Sequence, residues 1–250
     1  MLTSENIKNN IKELFTFNYY KEGLTGWTTS TKIWWALGMI VLSLVAFGTG
    51  ADIDQWVIMS WLGGIIGFTC TLAITNGKRI NGLLGLISAL LISAVAINAT
   101  LYADVAMQVG YIIALDIPVI LLGNQWNKAK VKSFNKDISG LWQALVVWLL
   151  SFSILYVVDI LLVSNLPMLD AFTASIGFVG AFLMLRKYSE QYFFWFMQGI
   201  LSVTLWTVAY VSGSIHTVVP LAIYSLYLGN NFIGLFDKKS PWNIYQMFKK

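Results

Sequence analysis

WVIMSWLGGIIGFTCTLAITNGKRINGLLGLISALLISAVAINA, residues 56–99, consists of two apolar runs, Trp56 to Thr75 and Ile80 to Ala99, parted by a short gap that carries Lys78 and Arg79. At about 1.5 Å of rise per helical residue, each run can cross roughly 30 Å of hydrocarbon. The gap is therefore a loop at a membrane face, and its two cations mark that face as cytoplasmic.

The same reading extends in both directions. Six further apolar runs follow the pattern: Ile33 to Gly48, Val105 to Gly123, Leu141 to Val163, Met168 to Leu185, Tyr192 to Val211 and Val218 to Phe236. The other cations are Lys8, Lys12, Lys21 and Lys32 before the first run, Lys128, Lys130, Lys132 and Lys136 in the middle, Arg186 and Lys187 later, and Lys238, Lys239, Lys249 and Lys250 at the end. The intervening gaps hold Asp52, Asp54, Asp104, Asp170 and His216, with no Lys or Arg. The pattern predicts an all-α integral membrane protein with eight transmembrane helices and both termini cytoplasmic.

Composition excludes a soluble enzyme. The chain is 57% apolar and 11% charged, against roughly 25% charged in soluble domains. A net charge of +4 would point a soluble protein toward nucleic acid, but here the cations orient spans and face anionic lipid, so no nucleic-acid partner is expected. Cys70, the single cysteine, excludes an internal disulfide, and the sequence holds no zinc-protease helix, nucleophile elbow or phosphate loop. We expect no enzyme activity, metal or cofactor. The first 31 residues lack the uninterrupted apolar core of a signal peptide. Their Ile7, Ile11, Leu14 and Phe15 recur at helical spacing, which reads as a short interfacial helix or as a solvated tail.

The two halves echo each other. Leu122-Gly123-Asn124-Gln125-Trp126 returns 106 residues later as Leu228-Gly229-Asn230-Asn231-Phe232, and Lys78-Arg79 returns 108 residues later as Arg186-Lys187. The expected organisation is a cytoplasmic segment 1–31, an extra transmembrane helix and outer loop 32–55, a three-helix repeat 56–123, a loop and linker helix 124–167, a second repeat 168–237 and a tail 238–250. Pro118 and Pro220 read as a paired hinge in the fourth and eighth runs.

One run carries a polar stripe: Trp195, Gln198, Ser202, Trp206 and Tyr210 fall on a single helical face. An amide and a hydroxyl set among indoles are penalised against lipid, so this face is expected to line a cavity or meet another helix. Tyr224, Tyr227 and Asn231 form a second face, and Gln108 with Tyr111 a shorter one. Indoles and phenols stack on flat rings and attract a pyridinium, while carboxamides satisfy ribose hydroxyls. No Lys or Arg lies inside these runs, which disfavours a phosphorylated substrate. Asp116, the one acid deep in a run, has three open roles: neutralising a cationic ligand, carrying a proton, or bonding a neighbouring helix as a neutral acid.

Gly77-Lys78, Asn81, Gly85, Tyr102, Tyr111, Gly123 and Trp126, then Arg186-Lys187, Glu190, Trp195, Trp206, Tyr224 and Gly234, resemble the PnuC vitamin B3 transporter family over residues 56–237. The sequence departs from that pattern at Gln198-Gly199, where the family often has Asn or Asp, and after Gly234, where a second Trp would follow. The resemblance implies a SWEET-like three-plus-one-plus-three fold, often trimeric, in a bacterial inner membrane. It implies inward facilitated diffusion of nicotinamide riboside, trapped by phosphorylation. The alternatives are a carrier of another neutral solute, such as a sugar or nucleoside, and a receptor without flux.

Overall fold

The computed structural model describes residues 4–48, 53–98, 102–161, 167–211 and 218–247. Two short helices, α1 (Ser4–Glu13) and α2 (Phe17–Leu24), precede α3 (Thr29–Phe47), α4 (Gln55–Thr75) and α5 (Asn81–Asn98). Next come α6 (Tyr102–Tyr111), a π-helical turn (Ile112–Asp116), α7 (Ile117–Leu122) and α8 (Asn124–Lys128). The chain continues through α9 (Ser139–Leu161), α10 (Pro167–Leu185), α11 (Gln191–Val211), α12 (Val218–Phe236) and α13 (Ile244–Met247). Every one of the apolar runs lies on helix. Among the described residues, α3, α4, α9 and α10 are each long and apolar enough to cross a bilayer, with shorter apolar stretches at Asn81–Val95, Gln108–Leu122 and Leu221–Phe236.

Local chemistry sets several helix ends. The Asp54 carboxylate accepts from the Trp56 and Val57 amides at 2.9 Å and starts α4. Thr28 caps α3, and its own amide donates to Asn76 Oδ1 at 3.0 Å, tying the start of α3 to the end of α4. The π turn immediately precedes Pro118, which lacks an amide proton and crowds the preceding turn, so the helix widens there. Pro220 instead lies in the first turn of α12, where proline is tolerated, so the two prolines occupy unlike positions.

The helices pack in a closed order. α4 meets α5, α5 meets α6 and α7, the π turn meets α10, α10 meets α11, α11 meets α12, and α12 returns to α4. Outside this ring, α3 packs on α4 and α12, while α9 packs on α10. The cation-bearing turns gather at one end of the bundle. There the turn after α4 recurs 110 residues later after α10. The Lys78 amide donates to Ala73 O and the Gly77 amide to Ile74 O; likewise Tyr188 donates to Leu183 O and Lys187 to Met184 O. This double hydrogen bond needs a left-handed residue, supplied by Gly77 at φ 64° and by Lys187 at φ 63°. The structural register is thus 110, and the basic pairs are two residues out of step with it. The Leu-Gly-Asn echo has no common local structure. Gly123, at φ 47°, ends α7, whereas Gly229 continues within α12.

The N-terminal helices dock on the basic end. Asn10, buried, donates to Leu121 O at 2.8 Å beside Gly123, where any β-carbon would collide with it. The buried Arg79 guanidinium pairs with Glu13, lies 3.6 Å from Glu22, and stacks 5.0 Å over the Tyr19 ring. Glu13 also accepts from Asn124 at 2.8 Å, so one carboxylate joins α1 to the turn before α5 and to α8. Arg79→Ala should lower stability by about 2 kcal/mol, less than the roughly 3–5 of a fully buried pair because the Glu13 side chain stays 36% exposed. Thermal unfolding of purified protein reads this loss.

Candidate functional site

α11 has two opposed faces. Phe193, Met197, Ile200, Val208 and Val211 are exposed and apolar, as a lipid-facing stripe requires. Trp195, Gln198 and Ser202 lie on the other side, Ser202 buried and the first two half-buried. The side chains of Trp206 and Tyr210 lie outside the described residues. A stripe carrying an amide and an indole N–H thus turns toward the other helices, where its polar groups find partners.

The partners are on α10, π-adjacent α6 and α12. The Trp195 indole donates to Gly177 O at 3.3 Å, and a β-carbon at Gly180 would collide with its ring. Gly177 makes room for the next pair, since a β-carbon there would lie 2.7 Å from the Tyr111 hydroxyl and 2.8 Å from Gln198 Nε2. Tyr111 and Gln198 are hydrogen-bonded to each other, and the Tyr111 ring stacks on Phe178 at 5.1 Å. From α12, Asn231 donates to Trp195 O at 2.8 Å. Tyr227 meets Tyr224 edge-on at 6.1 Å, and its hydroxyl sits at the Gly67 notch of α4 near Ser88. Gln108 is half-buried on α6, without a printed contact to this group.

A second polar layer, missed in the sequence, lies toward the basic end. The Thr75 hydroxyl donates to Asn230 Oδ1 at 2.7 Å and accepts from the Tyr192 hydroxyl at 2.8 Å, linking α4, α12 and α11. Tyr192 in turn meets the Trp195 ring edge-on at 5.6 Å. The stripe's own spacing, run back one turn from Trp195, leads to Tyr192; nothing in the sequence pairs Thr75 with Asn230, 155 residues away.

Asp116 stands apart from this group. Its carboxyl occupies the space that a side chain at Gly85 would need, and its carbonyl lies against Gly82. Tyr111 faces α10 and α11, whereas Asp116 faces α5, because the wider π turn between them rotates the chain. Asp116 is buried, and the thiol of Cys70 on α4 is its charge-coupled neighbour.

A buried cation closes the basic end. Lys187 is only 4% exposed, and its ammonium lies 4.0 Å over Trp126 and 5.2 Å over Trp242. The two indoles hold equivalent carbonyls: Trp126 donates to Met184 O at 3.3 Å and Trp242 to Ile74 O at 2.7 Å. Burial pulls Lys187 down from 10.5 to about 8, while the two ring faces favour its charged form. Between about 8 and 10.5 the unfolded chain binds more protons at this lysine than the folded one, so stability should rise with pH across that window. Below about 8 both states are charged, and the slope should vanish. A melting-temperature series in wild type against Lys187→Met, which should lack the rise, checks it.

Known proteins share this arrangement. Residues 57–242 match the model of the nicotinamide mononucleotide transporter family. The nicotinamide riboside transporter PnuC of Neisseria mucosa is 27% identical over 242 residues, covering 91% of this chain and 88% of that protein. The nicotinamide riboside transporter PnuC of Haemophilus influenzae is 26% identical, covering 87% of this chain and 92% of that protein. The crystal structure of the vitamin B3 transporter PnuC has the same fold, with a TM-score of 0.70 at 24% identity over 88% of this chain and 94% of that one. The family match spans most of the chain, including all six helices of the ring, and this multi-pass membrane protein belongs to the nicotinamide mononucleotide transporter family.

Proposed function

We propose that this protein carries nicotinamide riboside into the cell by facilitated diffusion, through a pocket walled by Trp195, Gln198, Ser202, Trp206 and Tyr210 of α11, Tyr224, Tyr227 and Asn231 of α12, and Gln108 and Tyr111 of α6. The observation that carries the reading is the inward turn of an indole and carboxamide stripe whose opposite face is apolar and exposed. The pyridinium stacks on Trp195, and the ribose hydroxyls take over the hydrogen bond that Tyr111 and Gln198 now make with each other. Asp116 serves the α5 contact as a packed acid.

The eight helices α3, α4, α5, α6 to α7, α9, α10, α11 and α12 span a bacterial inner membrane with the basic end cytoplasmic. Residues 56–123 and 168–237 act as two parallel three-helix units, α9 links them and α3 stands outside. The recurring turn at a register of 110 and the reciprocal contacts of α4 with α12 and of the π turn with α10 support this layout. Rocking of the two units gives alternating access, phosphorylation traps the product, and the assembly is a homotrimer, as the family resemblance implies.

The family's printed description favours a second reading, transport of the mononucleotide. A phosphate needs cations or converging amides at bilayer depth, and α4 to α7 and α9 to α12 contain no Lys or Arg. Radiolabelled nicotinamide riboside uptake into proteoliposomes decides. We expect saturable flux without an imposed gradient, blocked by unlabelled riboside and unaffected by the mononucleotide or free ribose. Flux no greater than in empty liposomes, or equal competition by the mononucleotide, overturns the proposal.

A further inference from the structure

α9 touches the remainder of the bundle chiefly through α10, and most of its surface is exposed and apolar. On one side of that contact, in the half nearer the basic end, a shallow groove runs between Trp142, Gln143, Val146 and Val147 of α9 and Phe182 and Arg186 of α10. Three features of it point the same way. Its walls are hydrocarbon, as an acyl chain requires. Arg186 is exposed at its mouth and forms no ion pair among the described residues, in contrast to Arg79. Gln143 keeps its amide oxygen buried without a hydrogen-bond partner among the described residues, an arrangement that costs about 1–3 kcal/mol until a donor arrives.

The charge around the mouth selects further. Lys128, Lys130, Lys132 and Lys136 are all exposed on the neighbouring loop. The nearby acid, Asp137, is already engaged by Lys132 at 3.7 Å and by the Tyr188 hydroxyl at 2.6 Å, and these bonds hold its carboxyl below the usual range. Trp142, 64% exposed, has the amphipathic ring suited to headgroup level.

We propose that this groove is a binding site for an anionic glycerophospholipid with a hydroxyl-bearing headgroup, phosphatidylglycerol. The phosphodiester pairs with Arg186, a headgroup hydroxyl donates to the Gln143 oxygen, and one acyl chain lies along Val146, Val147 and Phe182. Phosphatidylethanolamine offers a donor without net charge, and phosphatidylcholine offers neither.

Native mass spectrometry of the purified full chain, with each of the three lipids added in turn, tests this independently of transport. Phosphatidylglycerol adducts should be retained most strongly and phosphatidylcholine least. Arg186→Gln and Gln143→Leu should each weaken phosphatidylglycerol retention about tenfold, the loss of one charge-assisted or buried hydrogen bond. Both positions lie at the bilayer-facing surface, so unchanged thermal unfolding without added lipid shows that the variants fold. Equal retention of the three lipids, or undiminished phosphatidylglycerol retention in Arg186→Gln, overturns the proposal. So does an oligomer that excludes lipid and dissociates in Arg186→Gln, because a second copy then occupies the groove.

Discussion

Trp195→Ala and Gln198→Ala should each abolish measurable nicotinamide riboside binding while the protein remains folded. An aromatic anchor in a desolvated pocket is worth about 2–4 kcal/mol, which weakens binding roughly 30-fold to 1,000-fold. Trp195 is also held by Gly177 O and packed against Gly180, so its removal takes away both the stacking surface and the order of the notch. Loss of Gln198 leaves the Tyr111 hydroxyl without its amide partner. Titration calorimetry on each variant, with melting curves beside it, separates lost binding from lost folding. Unchanged affinity in both variants removes the stripe from the site.

Trp242→Ala should be among the most destabilising single changes in the chain. The side chain is fully buried, donates to Ile74 O, and presents its face to the Lys187 ammonium. Truncating a buried Trp costs about 3–5 kcal/mol, and this one also leaves a buried cation with one ring in place of two. Trp126→Ala should cost a similar amount, because Trp126 is 2% exposed and makes the corresponding bond to Met184 O. Thermal melts of the two single variants and the double variant read both effects. Their shared contact with Lys187 predicts non-additivity. Additive losses would mean that the lysine does not couple them.

Much of this architecture is legible in the sequence because lipid and water impose simple rules. Cations cannot sit at bilayer depth, so their positions alone mark the gaps, and the structure gathers those gaps at one end. The inward turn of Trp195 and Gln198 follows from the same rule, since Phe193, Met197 and Ile200 claim the opposite side of the helix. Other features leave no such trace. The true register of the recurring turn is hidden because one copy uses Gly77 and the other a strained Lys187 for the same left-handed backbone. Gly177 and Gly180 look like ordinary small residues until the side chains filling their notches are seen. The π turn reverses a wheel argument, because it places Asp116 against Gly85 regardless of its nominal angle from Tyr111. Asn10 and Glu13 belong to a polar stretch with little hydrophobic signal, yet they fasten α1 to turns more than 60 residues away.

The central claim is that the space between α10, α11 and α12 receives the riboside. An experimental structure of the protein with nicotinamide riboside bound tests it most directly. The account predicts ligand density with the pyridinium against the Trp195 indole and the ribose within hydrogen-bond distance of Gln198 and Tyr111. Density confined to a site beyond the reach of Trp195 and Gln198 would contradict it.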